Sequence, residues 1–96
     1  MSHELNIVLS AIADPTRRRI LSVLKEKGCC SIEKSFGMCA CDIEAKVDLS
    51  QPTVSHHMKV LTKAGLVEAE KIGQWMWYRR NEKNLRDALS ALRDEV

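Results

Sequence analysis

No apolar run in this 96-residue chain approaches the ~18 residues needed to cross a membrane. That absence excludes a membrane-spanning helix. The opening stretch MSHELNIVLSAIADP has neither a basic segment nor a cleavage site, so it does not read as a signal peptide. The expected compartment is the cytoplasm, where thiols stay reduced. An excess of one charge is missing too: 15 Lys and Arg against 13 Asp and Glu leave only +2. Any polyanion-binding surface must therefore concentrate its charge locally. Repeats, low-complexity tracts and linkers are absent, and 45% hydrophobic with 29% charged residues excludes a disordered chain. Length and composition predict one domain over residues 1–96, small enough that a partner subunit would add stability.

What is present is concentrated. All 4 cysteines fall within GCCSIEKSFGMCACDIE, from Gly28 to Glu44, as the adjacent Cys29 and Cys30 and the near pair Cys39 and Cys41. In a reducing compartment a disulfide framework is a weaker reading than metal binding or redox chemistry. The pairs are not the CxxC knuckles of structural zinc, which speaks against a closed site that only holds a loop. No thioredoxin-like alternation of strands and helices accompanies them, so no enzyme activity is expected.

Hydrophobic period and capping residues divide the chain. Leu5, Val8, Leu9 and Ile12 sit at helical spacing and predict a short first helix. In ADPTRRRILSVLKEKG, Asp14 suits an N-cap, Pro15 the first helical position and Gly28 the end. Ile20, Leu21 and Leu24 then point inward, and Arg17, Arg18 and Lys25 are expected in water. A short third helix is predicted from Cys39 or Cys41 to about Val47. DLSQPTVSHHMKVLTKAGLV predicts a fourth, with Ser50 as N-cap, Pro52 in the first turn and Gly65 at the end. Val54, Met58 and Leu61 face the core.

The period then changes to two. LVEAEKI and WMWYRR predict strands around Gly73-Gln74, a type II′ hairpin turn. Met76 and Tyr78 share one face, with Trp75, Trp77 and Arg79 on the other, the tryptophans as packing residues. A last helix from Glu82 to Glu95 carries Leu85, Ala88, Leu89, Leu92 and Val96 on one stripe. The expected fold is mainly α with a small β-hairpin: a winged helix-turn-helix of five helices and a two-stranded wing.

Gln51, Thr53, Ser55, His56 and Lys59 place hydrogen-bonding groups along the outer face of the fourth helix, mainly in its N-terminal half. A recognition helix puts that half deepest in the major groove. An ordinary solvated face is the alternative, and a winged helix used for protein contacts is another. Lys71, Gln74, Arg79 and Arg80 would form a basic wing beside the helix, which favours double-stranded DNA. His57 reads as a partly buried neighbour of His56.

ADPTRRRIL, CACDIE, LSQPTVSHHMKVLTKAGLV and GQWMWYRR, in this order, resemble the ArsR/SmtB family of bacterial winged-helix transcriptional repressors. The resemblance covers nearly the whole chain. It implies a homodimer that binds an operator with inverted-repeat symmetry and releases it on binding a toxic metal or metalloid ion. It also implies a dimer interface built from the first and last helices, here Leu5, Val8, Leu9, Ile12, Leu85, Leu89 and Leu92. The leucine-rich stripes of both helices fit that role independently.

In the family a CVC sequence at the start of the third helix marks a sensing site, and Cys39 to Cys41 occupies that place. Two departures stand out. The third cysteine of arsenic-sensing relatives falls at Glu44, and the segment CCSIEKSF is inserted after Gly28, so Cys29 or Cys30 is expected to complete the site. Thiolates prefer soft ions, and with no interspersed His or carboxylate expected in the site, hard metals are disfavoured. Three sulfurs suit arsenite or antimonite as inducer, and four suit tetrahedral cadmium or zinc. No organic cofactor is expected. Cys39 and Cys41 would sit at a helix N-terminus, whose dipole favours anionic ligands, with Lys27 and Lys34 nearby. Two alternatives stay open: a redox-sensing repressor, and a cadmium, lead or zinc sensor of the same fold. The family's histidine-containing site on the last helix has no counterpart, since NEKNLRDALSALRDEV holds no His.

Overall fold

The computed structural model describes residues 2–25 and 37–96. Among them the order is α1 (Ser2–Ile12), α2 (Pro15–Val23), β1 (Met38–Cys39), α3 (Ala40–Val47), α4 (Gln51–Lys63), β2 (Val67–Ile72), β3 (Trp75–Arg80) and α5 (Glu82–Glu95). Ile20, Met38, Ile43, Val54, Met58, Leu61 and Leu66 are fully buried at the centre, so α2, α3, α4 and the sheet share one core. Each such side chain contributes roughly 1.5–3 kcal/mol by leaving water.

Local chemistry accounts for most boundaries. Asp14 caps α2, its carboxylate accepting from the N–H groups of Thr16 (2.7 Å) and Arg17 (3.4 Å). Partial desolvation works against that carboxylate's charge, but the two N–H groups and Arg17 outweigh it and hold its pKa below the ordinary aspartate value. The helix ends at Val23, before the expected Gly28, which lies outside the described residues. Lys25 N–H donates to the Ser22 carbonyl at 3.2 Å, an i→i+3 bond that tightens the last turn. Gly65 follows α4 with φ +79, and the N–H of Leu66 reaches the Leu61 carbonyl at 3.1 Å. This is the left-handed close expected of a glycine there. Gly73 has φ +65 and Gln74 is not left-handed, which gives the type II′ turn.

Three features depart from the sequence expectation. First, the wing has a third strand: Met38 pairs antiparallel with Tyr78 and Cys39 with Trp77, giving the order β1-β3-β2. Two residues are too few to show a strand period, and the pairing is nonlocal. Gly37 makes it possible, because at φ +121 a Cβ would collide with the Tyr78 carbonyl oxygen and lie 2.9 Å from Arg79 Cβ. Gly37→Ala is therefore expected to lower stability by about 1–3 kcal/mol, read as a lower urea midpoint at unchanged slope.

Second, Arg17 is not in water. Its side chain is 13% exposed, with Nε donating to the Ala11 carbonyl at 2.6 Å and Nη2 to Ser10 at 3.3 Å. Arg18 Nη1 donates to the Ile12 carbonyl at 2.6 Å. These arginines satisfy the last carbonyls of α1, which holds no basic residue in its own last turn. Third, Trp75 is 54% exposed rather than packed, because it pairs with Ile72 beside the turn; Trp77, two residues nearer the helices, is buried.

Candidate DNA-reading face and sulfur site

Three residues, Asp48 to Ser50, join α3 to α4. Asp48 takes the left-handed conformation (φ 57, ψ 50), and both its N–H (2.9 Å) and that of Leu49 (3.3 Å) bond the Glu44 carbonyl. Asp tolerates that conformation through its short polar side chain. This tight corner turns the chain directly into α4. Ser50 occupies the N-cap position, but its hydroxyl lies 2.9 Å from Thr53 Oγ1 instead of bonding the backbone.

On α4, Val54, Met58 and Leu61 are buried, while Gln51, Thr53, Ser55, His56 and Lys59 are all exposed. One polar face therefore emerges from the globule along a helix seated on the core. His57 is half-buried on the flank, its Nδ1 3.1 Å from Arg17 Nη1. Burial first, and then the Arg17 and His56 charges, hold His57 below the ordinary histidine pKa, with Asp14 opposing them.

The wing is less uniformly basic than its sequence. Lys71 and Gln74 are exposed near the turn, beside Trp75. Arg79 Nε lies 2.6 Å from Glu68 Oε1 across the β2–β3 pair. Arg80 turns inward: its side chain is 17% exposed, Nη1 donates to the Leu21 carbonyl at 3.2 Å, and Nε lies 2.9 Å from a Glu82 carboxylate oxygen. Strand alternation puts Arg79 and Arg80 on opposite faces, but no local pattern names the α2 and α5 partners that hold Arg80.

The described part of the sulfur site is compact. Cys39 belongs to two elements, as the last residue of β1 and the N-cap of α3. It is 2% exposed, and its Sγ lies 2.7 Å from Sγ of the exposed Cys41. The Asp42 carboxylate joins them, one ligand atom from each of the three residues lying within 4.8 Å of the others. Sequence reading excluded an interspersed carboxylate from this site, although Asp42 follows Cys41 directly. Its place in the first turn of α3 brings it back. Cys29 and Cys30, with Lys27 and Lys34, lie outside the described residues.

The leucine stripes of the terminal helices divide. Leu5 is buried, and Val8, Ile12 and Leu85 pack against the protein's own core. Leu9 and Leu92 are half-buried, and Leu89 is 62% exposed. No residue of α5 is buried. That helix is held at its start by asparagines: Asn81 N–H bonds the Leu66 carbonyl at 2.9 Å, and Asn84 Nδ2 donates to Gly65 at 2.8 Å.

A corner-linked helix pair, with the second helix exposing polar groups beside a hairpin, is the layout of a DNA-reading module. The sequence profile described as bacterial regulatory protein, arsR family, matches residues 14–69. The chain belongs to the arsR family of bacterial regulatory proteins. This arsR-family regulator is 35% identical over 86 residues to the transcriptional repressor SdpR of Bacillus subtilis, spanning 90% of this chain and 86% of that protein. It is 38% identical over 90 residues to an arsenical resistance operon repressor of Staphylococcus aureus, spanning 93% and 77%. In fold it resembles a homodimeric winged helix-turn-helix DNA-binding domain from Mycobacterium bovis, with a TM-score of 0.73 and 24% identity over 97% of this chain and 81% of that one. The arsR-family chain is thus a transcription regulator and not an enzyme. Among its described residues no helix is long and apolar enough to cross a membrane.

Proposed function

We propose that this arsR-family regulator is a homodimeric repressor that binds an inverted-repeat operator and releases it when a thiophilic ion occupies the cysteine cluster. The observation that carries the reading is the convergence of Cys39 and Cys41 at the start of α3, the helix directly before the exposed polar face of α4. The arsenical resistance repressors among its relatives favour arsenite or antimonite as the inducer. Soft thiolates suit those ions, with a third sulfur from Cys29 or Cys30.

Gln51, Thr53, Ser55, His56 and Lys59 read the major groove, while Lys71, Gln74 and Arg79 of the wing contact the backbone. Arg80 drops out of the DNA-facing set, since its guanidinium is held by α2 and α5. Cys39 stands in register with Trp77 and also caps α3, so an ion held between its sulfur and that of Cys41 acts on the wing and the helix pair together. Leu89 and Leu92 of α5 meet the partner subunit.

A second reading follows from Asp42. Two sulfurs and a carboxylate form a mixed donor set that suits a borderline divalent ion such as cadmium or zinc. One experiment separates the two: operator release titrated side by side with arsenite, antimonite, cadmium, zinc and an oxidant. Release by arsenite at the lowest concentration supports the first reading, and release by cadmium or zinc alone the second. Release only by the oxidant overturns both.

The DNA assignment has its own test. Ser55→Ala and His56→Ala are each expected to reduce operator discrimination over random duplex by about 1–3 kcal/mol. Lys71→Ala should weaken both duplexes alike and lower the salt slope by about one. Unchanged affinities in all three variants would place the DNA face elsewhere.

A further inference from the structure

We propose that Arg17 and His57 form a clasp that fixes the recognition helix against the end of α1, and that only neutral His57 can close it. The inference rests on α4 being the recognition helix and concerns residues that do not touch DNA.

One guanidinium spans both elements. Nε and Nη2 of Arg17 donate to Ala11 and Ser10 in the last turn of α1, at 2.6 and 3.3 Å. Nη1 lies 3.1 Å from His57 Nδ1 on α4. Arginine has only donors and does not lose its proton in proteins, so Nδ1 must accept and the ring proton must sit on Nε2. A protonated ring would set N–H against N–H and add a like charge beside the guanidinium.

The charged and titratable groups around the ring act in both directions. From α2, Arg17 opposes protonation, and the Asp14 carboxylate, 3.9 Å from Arg17 Nη1, favours it. On α4 itself His56 opposes it, with ring centroids 5.3 Å apart. α1 presents backbone carbonyls to the guanidinium. Burial adds to the opposition and is the largest contribution. Since folding lowers the proton affinity of His57, the unfolded chain binds more protons below the ordinary value of about 6.5. The clasp's contribution is therefore complete above about pH 6.5 and is lost as pH falls from there through the lower pKa that His57 has in the folded protein.

The consequence falls on specificity. Ser55 and His56 share a helical turn with His57, so an opened clasp misplaces base-reading groups while phosphate contacts, which tolerate displacement, persist. Arg17 and His57 are positioning residues.

The test measures binding of the full chain to operator and to scrambled duplex in steps from about pH 7.5 downward until the His57 ring, followed by NMR, is protonated, at one salt concentration and with the fold checked by circular dichroism. For the unmodified protein the operator-to-scrambled ratio should fall about 3–10-fold on acidification, the worth of one hydrogen bond. His57→Gln offers Arg17 a carbonyl acceptor that cannot titrate, and its ratio should stay flat. A His57→Gln profile that follows the unmodified protein overturns the proposal, as does a profile flattened by His56→Gln instead. Nitrogen-15 shifts of the His57 ring at neutral pH give an independent measure. They should show the proton on Nε2, and a proton on Nδ1 overturns the clasp whatever the binding data show. Failure to discriminate operator at any pH would count against the recognition-helix reading, leaving the ring measurement to decide the clasp.

Discussion

With Cys41→Ser, the repressor is expected to bind its operator at unchanged affinity and to keep it when the inducing ion is added. For the unmodified protein, coupling of about 1–3 kcal/mol should lower operator affinity roughly 5–150-fold on ion binding. For the variant that ratio should be about one. Cys41 is the informative choice because it is exposed, whereas Cys39 is buried in register with Trp77. Cys39→Ser should lose the response equally but also destabilise the fold by about 1–3 kcal/mol, since the core would have to accept a hydroxyl. Fluorescence anisotropy on labelled operator, with and without ion, reads the first effect, and urea unfolding reads the second. A Cys41→Ser protein that still releases DNA would remove Cys41 from the sensing site.

The second large effect concerns assembly. Leu89→Glu combined with Leu92→Glu is expected to yield monomers whose operator affinity is lower by about 10²–10⁴-fold, the gain that linking two half-site modules provides. The motive is the exposure of Leu89 on a helix that buries none of its residues in its own globule. Fold stability should barely move for the same reason. Light scattering at micromolar concentration gives the mass, and a circular dichroism spectrum matching the unmodified protein shows that the fold persists. A monomeric mass for the unmodified protein would defeat the prediction outright.

The legible parts of this chain were those governed by neighbours in sequence. Asp14-Pro15 opens α2, Gly65 closes α4, and Gly73-Gln74 turns the hairpin, because capping and turn geometry are decided within four residues. The period of Val54, Met58 and Leu61 orients α4 correctly for the same reason. What escaped was decided across the fold. β1 exists because β3 offers a free edge and Gly37 lets the backbones approach. Arg17 and Arg80 look alike as surface cations, yet both reach carbonyls on other elements, which no local pattern records. Asp42 joins the sulfurs because the first turn of α3 brings its carboxylate back beside them, which cysteine spacing alone does not encode.

The anchoring of α5 has a mechanical consequence. Asn81 and Asn84 pin its first turn to the corner between α4 and β2, and no residue beyond them is buried. Leu85 packs on the core and α5 also lies against α1, so its 14 residues, about 21 Å long at 1.5 Å per residue, rest on a shallow seat beyond that mount. A tilt of roughly 10° at the asparagine mount swings its free end by roughly 3–4 Å. Half-sites on one face of DNA lie about 34–36 Å apart, so in the proposed dimer a tilt of that size would shift one α4 relative to the half-site it is to meet. In the proposed dimer, the two asparagine contacts and that shallow seat together would set how faithfully the gap between the two α4 helices is kept.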